Sequence, residues 1–388
     1  MFTSRGAERR RRATVRAAAI VASLMMTLSG FAARPALAQY DQQSMGEQNM
    51  GDRGGSMESC LDNGSSNCTD TCCCAQPDCQ QCSPPWMHRS GVWGEFLYLH
   101  PTDADVAHAQ QQNGTGGAGT VPFGLVDTAD PGYEPGFRVG AALRLSQCSS
   151  LTMAYTFFES QEATDVAPPI IPGGGGAIGS LVQHPGAAIL ASAGPVHANY
   201  DIDFQLAEFA YRHLWCGNNR GWVNYSVGAR YAHLEQEFLQ TGLFSGSQAG
   251  AISTGSHINF DGGGLLFGLD GERRIGCGGI SVYGNGNISP VSGQFRTSYR
   301  MNNDTTDVLL ADVRWKDDRV VTILNYEAGV AWTSCCNTFR VSAGYMFQHW
   351  FNAVTTPSYI DAVQANNYVD VGDTLSFDGL VARAEVRF

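Results

Sequence analysis

The sequence predicts an all-β fold, namely a transmembrane antiparallel up-and-down β-barrel of about ten strands (roughly eight to twelve) that follows a disordered cysteine-rich segment. Three observations carry this prediction. Many segments alternate apolar with polar residues, and the connections between them alternate between long and short. The chain also has 388 residues, of which 46 are glycine and only 15% are charged. Beyond the N-terminal region no stretch has the apolar length of a transmembrane helix.

The alternation is clearest in residues 319–350. Val320, Leu324, Tyr326, Ala328, Val330 and Trp332 share one parity, and Asn325, Glu327 and Gly329 share the other. A turn over residues 334–337 follows, and the alternation then resumes from Phe339 to Phe347. This pattern indicates a long antiparallel hairpin. One of its faces suits lipid and the other suits a polar interior.

Residues 1–38 have the pattern of a cleaved export signal. Several arginines precede an apolar run from Ala17 to about Leu28, and Ala36 and Ala38 have the small-residue spacing of a cleavage site. The alternative is an uncleaved anchor helix, but the run is shorter than the ~20 residues that span a bilayer. The sequence therefore predicts export.

Export changes the charge balance of the chain. Without the seven arginines and one glutamate of the signal, the 24 basic and 36 acidic residues leave a net charge of −18. Nucleic acid is therefore not an expected partner. An oxidising compartment also favours disulfide formation by the cysteines.

Residues 39–90 are predicted to be a flexible, cysteine-rich periplasmic segment, because they are polar and lack apolar periodicity. The spacing of its cysteines also suits a zinc or copper site. Three adjacent cysteines and the absence of histidine within the cluster favour disulfides instead, within the chain or to a partner. The candidate disulfide residues of the whole chain are Cys60, Cys68, Cys72, Cys73, Cys74, Cys79, Cys82, Cys148, Cys216, Cys277, Cys335 and Cys336.

Residues 91–388 form the predicted barrel. Its strands are 91–99, 136–145, 151–158, 200–214, 222–238, 257–275, 280–299, the two strands of 319–350, and 375–388. Long connections would face outward and short turns inward, which places both termini in the periplasm. The last five cysteines fall in the short turns, so they are expected to gather at one rim.

The final strand ends on an aromatic residue. Its apolar stripe runs from Leu380 to Phe388, which resembles the assembly signal that outer-membrane barrels present to the barrel-assembly machinery. Charged residues on the opposite parity of the strands are candidates to line the lumen. They are Arg138, Arg144, Arg230, Glu327, Arg340, Arg383 and Glu385.

Three of the long connections, the first, the second and the last, are acidic. Without any lysine or arginine, they contain Asp103, Asp105, Asp127, Asp130, Glu134, Glu159, Glu162, Asp165, Asp361, Asp370 and Asp373. Another long connection, residues 300–318, is mixed in sign. The outer mouth is therefore expected to attract cations.

Several segments resemble the Legionella-type major outer-membrane protein family of pore-forming barrels. They are Pro135-Gly136-Phe137-Arg138-Val139-Gly140, residues 264–274 with Tyr283-Gly284-Asn285, Glu327-Ala328-Gly329-Val330, and Tyr345-Met346-Phe347. The likeness covers residues 91–388. It implies an outer-membrane barrel with porin-like activity, surrounded by outer-membrane lipid.

The leading functional hypothesis is a passive channel for small solutes or ions. The alternative is a structural envelope barrel, linked by disulfides to other copies or to an envelope partner. A barrel enzyme ranks third: His100, Asp103, Asp105 and His108 could serve acid–base chemistry or a weak metal site, but a polar loop often holds such residues by chance. No residue is assigned to catalysis, to a cofactor or to a metal.

Overall fold

The computed structural model describes residues 84–388 except Gly173, Asn219 and Cys277. The predicted signal and the cysteine cluster of residues 60–82 lie outside the described residues. The strands are β1 Gly91–Thr102, β2 Val106–Gln112, β3 Pro122–Ala129, β4 Glu134–Arg144, β5 Ser149–Val166, β6 Ala177–Ser180, β7 Ile189–Gly217, β8 Gly221–Gly246, β9 Gly250–Arg274, β10 Ile280–Asn303, β11 Val308–Thr333, β12 Phe339–Ala353 and β13 Asp373–Arg387. The α-helix α1 spans Thr356–Ala365, and a short 3-10 helix spans Pro185–Ala187.

Ten of these strands close into an antiparallel ring. The order around the ring is β1, β4, β5, β7, β8, β9, β10, β11, β12 and β13, and β13 pairs with β1. At the closure Gly91 lies opposite both Arg387 and Ala142. The ring confirms the predicted barrel of about ten strands, and its members are the ten predicted segments.

The strands of the ring differ greatly in length. β7 to β11 contain 24–29 residues, whereas β1 and β4 contain 12 and 11. Since about 9–11 residues cross a bilayer, the wall formed by β7–β11 projects far beyond it. The predicted loops after Phe238 and from Arg300 to Asp318 are therefore mostly strand. Polar residues such as Thr254 and Ser256 are buried on the inner face of the projecting wall, which weakens the alternation that marks a strand.

The other three long connections also contain regular structure. β2 and β3 form a hairpin, and β6 joins β2 to β7. The helix α1 is anchored to the interior through Gln236 of β8, whose side chain donates to Val354 O (2.9 Å) and accepts from Thr356 N (3.0 Å). Tyr359 and Ile360 of α1 are buried. Among the described residues, no helix combines the length and apolarity needed to cross a membrane.

The wall has an apolar outer face near the short turns. Phe209, Tyr231, Leu265 and Leu380 are each about half exposed, while their chain neighbours point inward. Deeper inside, two regions divide the interior. The half near the short turns is polar, and the half near the long connections is a continuous apolar core.

Candidate functional site

A cavity of about 270 Å³ occupies the polar half of the interior. We call it the charged cavity, because six arginines and six carboxylates line it. The arginines are Arg89, Arg138, Arg212, Arg340, Arg383 and Arg387, and the carboxylates are Glu95, Glu208, Asp270, Glu272, Glu327 and Glu385. Except for Arg89, which precedes β1, these groups come from seven of the ten strands of the ring. They lie on the inward parity of those strands, so closure of the ring turns a sequence alternation into a polar chamber.

Glu95 of β1 is at the centre of one ionic network. Its two oxygens accept from Arg138 Nη1 at 2.8 Å and from Arg383 Nη1 at 3.2 Å. Arg138 also approaches Glu327 of β11 at 3.9 Å, on a strand four places away around the ring. Only 2% of the Glu95 side chain is exposed. The network therefore ties distant parts of the wall together through the lumen.

The remaining ion pairs surround the same chamber. Arg340 reaches Glu272 at 3.2 Å, and Glu385 accepts from Arg383 and Arg387 at 3.3 and 2.8 Å. Arg212 binds Asp270 in a bidentate pair. Arg230 is fully buried next to the cavity and binds Glu208 and Asn287, each at 2.6 Å. The charges inside the barrel are thus largely compensated in pairs.

The chain just before β1 lies across the short-turn end of the cavity. His88 is buried, with Nδ1 2.8 Å from Ser150 Oγ and Nε2 3.1 Å from Asn224 Oδ1. Arg89 donates to the carbonyl of Cys336 at 3.1 Å. Burial, followed by the nearby Arg212 guanidinium, lowers the pKa of His88 to about 4. At neutral pH a neutral imidazole therefore holds this segment in the lumen.

A layer of aromatic side chains crosses the apolar half of the interior, beyond the charged cavity. We call Phe158, Phe204, Phe260, Trp350 and Phe377 the aromatic layer; all are fully buried. Phe204 of β7 and Trp350 of β12 have ring centroids 6.1 Å apart, although β7 and β12 are five places apart in a ring of ten. Side chains from diametrically opposite walls therefore meet across the interior. The straight path through the barrel is blocked at this level.

The structure gathers most of the candidate lumen residues but not all of them. Arg138, Glu327, Arg340, Arg383 and Glu385 line the charged cavity, and Arg230 is buried beside it. Arg144 does not belong to the chamber. It shares the inward parity of β4, but the strand ends there, so its side chain is exposed at the rim and donates to Ser146 O (3.3 Å).

One of the loop residues considered for catalysis lies apart from the other three. His108 is fully buried on β2 and contacts Asp127 (2.9 Å), while His100 is 3.7 Å from Asp130. Asp105 interacts electrostatically with Asp130, His100 and Asp103. His108 therefore shares no centre with His100. Phe388 directly follows β13 and is 76% exposed.

Sequence reasoning missed part of the chamber. Glu208, Asp270 and Glu272 have inward parity and lie in the predicted strands 200–214 and 257–275, but they were not among the candidate lumen residues. A search for charges on the polar parity of every predicted strand would have found them. The same search would not have found the aromatic layer. Its side chains are apolar although they point inward, so they interrupt the alternation of polar and apolar residues on which strand prediction depends.

A closed ring of antiparallel strands with an apolar outer band and a charged interior defines an outer-membrane β-barrel. A profile of the family described as the Legionella pneumophila major outer membrane protein precursor matches residues 87–387. The chain belongs to this family, as its sequence suggested, and the outer membrane is its location.

Solved structures that resemble this chain have very low sequence identity to it. The outer membrane protease OmpT from Escherichia coli is 8% identical, with 80% of this chain and 99% of that chain covered and a TM-score of 0.46. A major outer membrane protein from Thermus thermophilus is 11% identical (78% and 100% covered, TM-score 0.31). The P. putida toluene transporter TodX is 9% identical (77% and 90% covered, TM-score 0.33). The comparison with curated proteins found no match.

Proposed function

We propose that the protein is a porin-like passive channel for small solutes and ions, and that its aqueous path includes the charged cavity. The observation that supports this most directly is the chamber of about 270 Å³ lined by twelve charged side chains. Polar interiors are typical of outer-membrane channels. A barrel that serves only as an anchor has no need of them, because apolar packing is often as stable as buried ion pairs.

The aromatic layer sets the expected size of the current. Barrels of about eight strands enclose little more than side chains, and wide aqueous channels need roughly 16 strands. With Phe204 and Trp350 in contact across the ring, passage requires side chains to move. The proposed channel therefore conducts weakly and favours small solutes.

Current through planar bilayers tests this proposal. Purified protein should give a small conductance that is weakly cation-selective at low salt, because acidic residues dominate the long connections while interior charges are paired. Screening over about 8–10 Å should reduce this selectivity as KCl is raised. Reversal potentials under a KCl gradient measure it. An absence of conductance would reject the channel, and anion selectivity at low salt would reject the acidic mouth.

The second candidate, a cross-linked structural barrel, is supported by the cysteines of the short turns. Cys148 and Cys335 carry free thiols, and Cys335 is exposed. The antiparallel ring places these turns and both ends of the barrel at one rim, which we assign to the periplasm together with residues 39–90. The rim is thus suited to disulfides with another copy or with an envelope partner.

Gel electrophoresis tests the cross-links. Protein isolated with its thiols blocked should run as oligomers without reductant and as a monomer with it. Cys335→Ser should reduce the oligomer fraction more than Ser334→Ala, a matched change one residue away. Identical monomer bands under both conditions would contradict this role.

The exposed Phe388 is proposed as the assembly signal for the barrel-assembly machinery. An aromatic C-terminal side chain beside the closing strand β1 is accessible to a partner before the ring closes. This role concerns biogenesis and is compatible with either candidate function.

A further inference from the structure

A second cluster of titratable side chains lies on the outer wall, where β7, β8 and β9 approach the long connections. Asp203 of β7 and Glu235 of β8 are direct cross-strand neighbours, and His233 lies on the same face. One ligand atom from each of these three residues lies within 4.8 Å of the others. The cluster is outside the lumen, so it is independent of the charged cavity and of the proposed channel.

His233 is oriented as metal-ligating histidines are. Its Nδ1 is 2.9 Å from Asp261 Oδ1, and Asp261 is itself held by the Tyr231 hydroxyl at 2.7 Å. With the proton on Nδ1, the lone pair of Nε2 faces the cluster, where Glu235 Oε2 is 3.9 Å away. A carboxylate behind Nδ1 is the usual outer support of a histidine ligand.

A bound cation would reduce the repulsion between the carboxylates of Asp203 and Glu235. Like charges directly opposite each other on neighbouring strands repel, yet Asp203 faces Glu235. Across the described residues, no lysine or arginine forms an ion pair with Asp203. His257 holds the other oxygen of Glu235 at 2.7 Å, which fixes the carboxylate in place. The side chains of His233 and Glu235 are 19% and 23% exposed, so an ion can reach them.

We propose that Asp203, His233 and Glu235 bind a divalent transition-metal ion on the outer wall. An imidazole with two carboxylates suits Zn²⁺ better than Ca²⁺, which prefers oxygen ligands only. Zn²⁺ bonds to such donors are about 2.0–2.2 Å long. The three ligand atoms lie within 4.8 Å of one another, so small side-chain shifts bring all three within bonding distance of one ion. Water can complete a four-coordinate site.

Zinc titration of the whole protein tests the site. Because free thiolates are zinc ligands that would compete in the titration, cysteine thiols are first alkylated. Binding of ZnCl₂ is then followed by calorimetry in detergent. The native sequence should bind one equivalent of zinc that Asp203→Asn and His233→Gln lose. His197→Gln is the matched control, because His197 pairs with Asp165 on the outer wall away from the cluster, and it should keep that equivalent.

Asp203→Asn also separates the proposal from a purely structural role. It removes a repulsive charge, so the metal-free variant should fold at least as well as the native protein, which heat-dependent gel migration verifies. Zinc should raise the unfolding temperature of the native protein but not of this variant. Equal zinc stoichiometry in all proteins, or binding of Ca²⁺ in preference to Zn²⁺, would overturn the proposal; His233 would then neutralise the carboxylates as an imidazolium.

Discussion

Replacement of Trp350 by alanine should increase the single-channel conductance several-fold. Trp350 is fully buried and meets Phe204 from the opposite wall at 6.1 Å between ring centroids. Its indole is therefore a main part of the barrier between the charged cavity and the outer half of the barrel. Loss of the indole opens space at the centre of the ring, on the path that ions would take through the proposed channel. Conductance in planar bilayers at fixed KCl measures the effect.

In this experiment, a loss of barrel stability has to be distinguished from an opening of the barrel interior. A buried Trp→Ala change costs on the order of 3–5 kcal/mol, so folding is verified by heat-dependent gel migration. Phe204→Ala provides a second test from the facing wall. Phe209→Ala is the matched control, because Phe209 is on the same strand but points outward and is 50% exposed. If both inward variants conduct like the control, the aromatic layer is not the barrier.

Glu95→Gln should lower the stability of the barrel by about 3 kcal/mol. Removal of one partner from a buried ion pair leaves uncompensated charge and costs about 3–5 kcal/mol. Here one change weakens two pairs, because Glu95 accepts from both Arg138 and Arg383. The lower end of the range is expected, since Arg138 retains Glu327 and Arg383 retains Glu385.

The temperature at which the folded gel band disappears in detergent measures this loss. Glu237→Gln makes the same chemical change on the exposed outer wall of β8 and should shift that temperature little. A shift of equal size in both variants would show that the Glu95 network does not hold the wall together. The same variants in bilayers would show whether the network also affects the current.

Some errors of sequence reasoning share one physical cause. Residues 239–256 and 300–318 look like loops because polar residues such as Gln240, Thr254 and Asn303 are buried on the inner face of their strands, so no strict apolar stripe exists. The helix α1 is short and lies between strands, and its anchor to Gln236 is more than a hundred residues away in the chain. The pattern of residues near α1 in the sequence cannot predict a contact with a residue so distant in the chain.

The sequence by itself determined which ten segments form the ring and which of their faces meets lipid. Lipid imposes this pattern, because every second residue on the bilayer side must be apolar, and the period appears within each strand. Only the tertiary structure decided whether the interior is open. Phe204 and Trp350 meet only when the ring closes with ten strands in this register, and Glu95 finds Arg138 and Arg383 on its two neighbouring strands for the same reason. The diameter of the ring, which no single strand encodes, sets how far side chains reach across it.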